Sequence, residues 1–171
     1  EEGSDLEVAE ILDRVAAYSC DLVEVTGGEP LLQVETVRLV EALLDGGYRV
    51  LVETNGSLDI SPLDPRCITV VDVKCPSSGE SDRNDPANLC RLRPLDEVKF
   101  VIQDRRDYEF ARDLLATPPC DRAMRNTVHF SPVFGRLAPS RLAGWILEDR
   151  LRVHLNLQWH KLIWDPGERG V

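Results

Sequence analysis

Five short polar stretches could do chemistry: Thr26-Gly27-Gly28-Glu29-Pro30, Glu53-Thr54-Asn55-Gly56-Ser57, Asp72-Val73-Lys74-Cys75-Pro76, His129-Phe130-Ser131-Pro132 and the closing "LQWHKLIW" at 157–164. Paired glycines remove side chains where the backbone needs positive φ or must approach something bound, and the following proline suits a turn or a helix start. Glu29 and Glu53 are acceptor-only carboxylates able to take hydrogen bonds from an ammonium group or a sugar diol. Lys74 stands at the carboxyl end of an apolar strand, where a lysine usually has an anionic or polar partner. Together these types suit the recognition of a polar, partly charged small molecule. The alternatives are tight turns at Gly-Gly-Glu-Pro and Asn55-Gly56, a solvated Lys74 and a structural His129, to which no catalytic role is given.

Each stretch follows an apolar, β-branched run: 21–26, 48–54, 67–73, 96–102, 127–133 and 151–157 supply six candidate strands, the fourth run ending without such a stretch. Helical spacing fills 5–18, 34–47, 106–116 and 139–149. Strand alternating with helix predicts an α/β fold with mainly parallel strands, and in such folds ligands gather beyond the carboxyl ends of the strands. The third crossover, 76–94, is polar and turn-rich, with a short helix predicted at 84–92. Alternation along the fifth strand puts His129 and Ser131 on one face.

The chain has 171 residues and a formal charge of −10. That length predicts one domain over 1–171, and that charge, with no basic cluster, argues against nucleic acid and anionic membrane as partners. No apolar run is long enough to span a bilayer and no signal peptide is evident, so a cytoplasmic location is expected. Five scattered cysteines, none in CxxC spacing, do not resemble a disulfide framework. Cys20 and Cys67 are expected to be buried at strand starts, and Cys75 to serve packing.

In their order, "VTGGEPLLQ", "VETNGS", "DVKCPSSGE" and "LQWHKLIW" resemble the radical S-adenosylmethionine superfamily, and within it the 7-carboxy-7-deazaguanine synthases of the 7-deazapurine and queuosine pathway. The resemblance runs from about residue 5 to the end of the chain. It implies a partial, incompletely closed (β/α) barrel and a lyase activity. A reduced 4Fe-4S cluster cleaves S-adenosylmethionine, the radical formed abstracts hydrogen from 6-carboxy-5,6,7,8-tetrahydropterin, and ring contraction with loss of ammonia gives 7-carboxy-7-deazaguanine. Mg2+ and an electron donor such as flavodoxin belong to the same expectation. Glycyl-radical activating enzymes share "GGEP" but act on a protein backbone, and a silent S-adenosylmethionine-binding module is the reading from outside the enzymes.

Carried over motif by motif, the resemblance assigns Gly27, Gly28 and Glu29 to the methionine end of the cofactor, with Glu29 an acceptor or a loop-setting group. Glu53 takes the ribose, Asp72, Val73 and Lys74 the nucleoside, and Phe130, Ser131 and Pro132 the adenine side. The family commonly has serine where this chain has Asp72. Thr26, His160 and Pro166 would face the pterin, although the chain continues past Pro166 where the family's tail ends. Trp159 and Trp164 either stack on a heterocycle or close the barrel's edge, with closure preferred.

The family's CxxxCxxC cluster motif is not among the 171 residues, which open on "EEGSDLEVAEIL". This start resembles the segment just downstream of the cluster loop. The first barrel strand, the cluster cysteines and a magnesium-ligand threonine are therefore expected upstream of the numbered residues, with truncation favoured over natural loss, and the numbered chain alone is expected to be inactive. An open edge where that first strand is missing would permit a homodimer.

Overall fold

A computed structural model describes residues 5–165 and 167–168. Six strands form one sheet in the order β1-β2-β3-β4-β5-β6: Leu22–Val25, Arg49–Thr54, Ile68–Val73, Glu97–Ile102, Thr127–Pro132 and His154–Leu155. Every neighbouring pair is parallel, and β1 does not pair with β6, so the sheet is an unclosed part of a barrel. Sequential order in a parallel sheet is what repeated strand-helix crossovers in one direction produce.

The helices are α1 (Val8–Ala16), α2 (Thr36–Asp45), α3 (Asn88–Arg91), α4 (Arg105–Ala116), α5 (Pro139–Glu148) and α6 (His160–Ile163). Four reproduce the predicted helical segments. The third crossover has only 3₁₀ turns at Pro76–Ser78 and Ser81–Arg83 followed by the four-residue α3. The sixth strand shrinks from the predicted 151–157 to two residues, since only His154 and Leu155 find partners on β5.

Period-two alternation divides the sheet. Val50 and Val52 of β2, Val71 and Val73 of β3, Val98, Phe100 and Ile102 of β4, and Val128 and Phe130 of β5 point to the helices. There they join Val40 and Leu43 of α2, Tyr108 and Ala111 of α4, and Leu142 of α5 in one buried cluster. Phe130 packs edge-on against Phe100 and Tyr108, with ring centroids 5.5 and 5.9 Å apart. The intervening residues stand on the opposite, open face, and the functional candidates divide between these two sides.

Cys67 and Cys75 are buried as expected, but Cys20 is exposed, which corrects its sequence reading: it precedes β1, the sheet's edge strand, where nothing among the described residues covers it. Trp159 and Trp164 are 62% and 45% exposed and so do not close the barrel's edge as preferred.

Candidate functional site

The Gly-Gly-Glu-Pro loop leaves β1 through two consecutive positive φ angles, 98° at Gly27 and 60° at Gly28. A side chain is disfavoured there by backbone sterics. A Cβ added at either residue meets nothing within 4 Å, so the space over this turn is open to an incoming ligand.

Glu29 turns inward. Its Oε1 accepts from Thr54 Oγ1 at 2.8 Å and from the Leu31 amide at 3.1 Å, and its Oε2 accepts from the Asn55 amide at 2.7 Å. The carboxylate thus caps the turn Pro30–Leu32 and ties it to the end of β2, the loop-setting alternative of its two predicted roles. Asn55 Oδ1 in turn accepts from Ser57 N at 2.9 Å, and Gly56 has φ of 70° where an added Cβ would meet Val71 at 2.9 Å, so Asn55-Gly56 is a turn.

The open face carries the charged row. Lys99 Nζ donates to Glu53 Oε1 at 2.7 Å, Lys74 Nζ donates to Asp72 Oδ2 at 2.6 Å, and His129 Nε2 lies 2.8 Å from Glu97 Oε2. The rings of His129 and His154 lie 5.6 Å apart. Burial, and after it the charge of Glu53, pushes the Glu24 carboxyl above the ordinary range, while Lys99 acts in the opposite direction. Asp72 is 7% exposed, and its Oδ1 is buried without a hydrogen-bond partner among the described residues. A buried acceptor left unpaired is costly, which marks Asp72 as an atom in want of a donor.

Loop geometry around Lys74 depends on residues that the sequence reading did not single out. Asn84 holds both sides of the Lys74 backbone, accepting from its amide and donating to its carbonyl at 2.9 Å each. Asp107, buried at the start of α4, accepts from Ser77 N and Gln103 N at 2.9 Å and so joins the third crossover to the end of β4. Between them lies a cavity of about 200 Å³ lined by Asp72, Lys74, Ser77, Gln103 and Val133. A second cavity, of about 380 Å³, opens beyond β5 and is lined by Pro132, Phe134, Leu137, Leu157, Gln158 and Leu162.

Glu53, Asp72 and Ser131 share the open face by alternation and register, with Lys99 and His129 between them. Thr26 is exposed beside the glycine turn, Pro132 ends β5 at the larger cavity, and His160 begins α6, exposed. The side chains of Val73 and Phe130 lie in the helix-facing core, because they fall one residue out of phase with Asp72 and Ser131. Only their backbones can serve the site. Pro166 lies outside the described residues. Missed at first were Glu24, Glu97 and Lys99; the alternation in "DEVKFVI" separates Glu97 and Lys99 from Val98, Phe100 and Ile102 and was the signal for two of them.

The cysteines do not form a metal or cluster centre. Cys67, Cys75 and Cys120 are buried on separate elements, Cys20 and Cys90 are exposed elsewhere, and no group of three metal-ligating side chains exists among the described residues. Burial, aided by Asp107 and Asp72, pushes the Cys75 thiol upward, the opposite of what a thiolate ligand requires.

Comparison with known proteins adds sequence and fold relatives. No family model matches the chain. It is 45% identical over 163 residues to the 7-carboxy-7-deazaguanine synthase of Koribacter versatilis, covering 88% of this chain and 72% of that protein. To the 7-carboxy-7-deazaguanine synthase of Chlorobaculum tepidum it is 43% identical over 174 residues, covering 100% and 78%. The crystal structure of Streptococcus suis SuiB bound to S-adenosylmethionine superposes with a TM-score of 0.62 over 92% of this chain and 45% of SuiB, at 13% identity, a likeness of fold alone.

Proposed function

The chain belongs to the 7-carboxy-7-deazaguanine synthase family, and from that premise we propose that it converts 6-carboxy-5,6,7,8-tetrahydropterin to 7-carboxy-7-deazaguanine with loss of ammonia, in 7-deazapurine and queuosine biosynthesis. The observation that carries the reading is the convergence of the glycine turn, Glu53, Asp72 and Ser131 at one end and one face of the parallel sheet, in a chain aligned along most of its length with synthases.

The residues present suit S-adenosylmethionine, which when bound supplies the hydrogen-abstracting chemistry of the superfamily. The open backbone over Gly27 and Gly28 receives the methionyl end, with Glu29 holding the turn from behind. Glu53 accepts from the ribose hydroxyls, Asp72 Oδ1 takes a donor of the nucleoside, Lys74 fixes the orientation of Asp72, and the backbone at Val73, Phe130, Ser131 and Pro132 lies along the base. Thr26 and His160 contact the pterin. These groups hold cofactor and substrate in register and exclude water, the part of radical chemistry that falls to protein side chains.

The described residues do not suit a 4Fe-4S cluster, nor do they supply a cluster of acidic ligands for Mg2+. Both belong to the proposal as requirements of the family, with a flavodoxin-type electron donor, a homodimeric state and a cytoplasmic location. The numbered residues are taken as one radical S-adenosylmethionine core domain. Among the described residues no helix is long and apolar enough to cross a membrane.

The test is an anaerobic assay of the full-length protein with reductant, Mg2+, S-adenosylmethionine and carboxytetrahydropterin. Formation of 7-carboxy-7-deazaguanine is expected. S-Adenosylmethionine cleavage with no deazapurine formed would place the activity elsewhere in the superfamily.

A further inference from the structure

Two of the chain's three lysines, Lys74 and Lys99, make ion pairs on the open side of the sheet. Lys74 pairs with Asp72, its neighbour on the same strand end. Lys99 does something less local. Its register partners are Asp72 on β3 and His129 on β5, yet its ammonium reaches across β3 to Glu53 on β2, two strands away. The β3 residue beside Glu53 is Val70, which is buried at 6% exposure.

Both partners are partly shielded, with side chains 22% and 24% exposed. An ion pair so placed is screened less than one in free solvent, and it restricts a glutamate side chain that otherwise samples several rotamers. The pair engages Glu53 Oε1, and Glu24 is the other acid beside the Glu53 carboxylate. A carboxylate oxygen has two acceptor positions, so Glu53 keeps capacity on both oxygens while Lys99 holds it. That is the arrangement needed to accept from two vicinal hydroxyls at once.

We propose that Lys99 is a positioning residue for nucleoside binding, acting through the 2.7 Å ion pair that fixes the Glu53 carboxylate for the ribose diol. The inference rests on the reading of Glu53 as the ribose acceptor, and goes beyond it by assigning that group's orientation to a residue on a different strand.

Calorimetric titration of the full-length protein tests it, with S-adenosylhomocysteine and its 2′,3′-dideoxy analogue as ligands. Glu53→Gln should weaken S-adenosylhomocysteine roughly tenfold or more, the size expected for hydrogen bonds to a charged group. Lys99→Met should weaken it about fivefold, while Lys99→Arg, which retains a cation at similar reach, should stay within about twofold. The dideoxy analogue should bind the parent and Lys99→Met equally, a split that a merely structural role for Lys99 does not produce. Lys99→Gln serves in place of Lys99→Met should the latter not fold. Unchanged binding in Glu53→Gln overturns the ribose reading and the inference with it. A weakened Glu53→Gln beside an unaffected Lys99→Met, or equal losses for both ligands, overturns the role of Lys99 alone.

Discussion

Replacing Glu29 by alanine should lower stability and cofactor affinity together, because the carboxylate shapes the turn. Three donors converge on it: Thr54 Oγ1, the Asn55 amide and the Leu31 amide. Thr54 is 1% exposed and Glu29 8%, so water cannot readily replace the lost acceptor. A buried donor stranded in this way costs about 1–3 kcal/mol; the buried Thr54 hydroxyl counts in full and the two part-buried amides for about half each, giving about 2–6 kcal/mol for Glu29→Ala. That is a large fraction of the roughly 5–15 kcal/mol of a typical domain. Glu29→Gln keeps one carbonyl acceptor and should cost about half as much. Urea denaturation at pH 7 measures the stability change, and calorimetry with S-adenosylhomocysteine measures affinity in the same samples. Should Glu29→Ala lose tenfold in affinity with its urea midpoint unmoved, the carboxylate would be touching ligand directly and the loop-setting argument would be wrong.

Gly28→Ala, forced to φ of 60°, should cost about 1–2 kcal/mol of stability through backbone strain alone, since its Cβ meets no neighbour; Gly28→Val should lose proportionally more affinity than stability, read by thermal shift against calorimetry. For Glu24, whose folded carboxyl lies above its ordinary 4.5, folding favours the protonated form, so its favourable contribution is present at low pH and lost as pH rises through the raised value. Glu24→Gln should therefore match the parent's urea midpoint near pH 4 and exceed it at pH 7; equal midpoints at both would contradict the shift. Replacing Cys20 and Cys90 by serine and Cys67, Cys75 and Cys120 by alanine, one at a time, should leave the iron content of folded full-length protein unchanged, and a loss at any of them would make that cysteine a ligand.

Much was legible in the sequence because it depends on neighbours along the chain. Alternating apolar residues and helical spacing locate five of the six strands to within one or two residues and reveal the four longer helices, since period and burial are local properties of a sheet covered by helices. The same alternation contained the division between Glu53, Asp72 and Ser131 on the open face and Val73 and Phe130 in the core, although the motifs alone grouped them together. The glycine turn was legible for a similar reason: positive φ leaves its mark directly on residue type. What only the tertiary structure decided are the pairings between distant residues. Glu29 meets Thr54 across 25 positions, Asp107 meets Ser77 across 30, and Lys99 meets Glu53 across 46. The shortness of β6 was undecidable from its own residues, because a strand exists only where a partner offers hydrogen bonds, and an edge leaves the rest of an apolar run unpaired. Charged residues on an open face look like solvated ones until the register of neighbouring strands fixes which carboxylate each cation can reach.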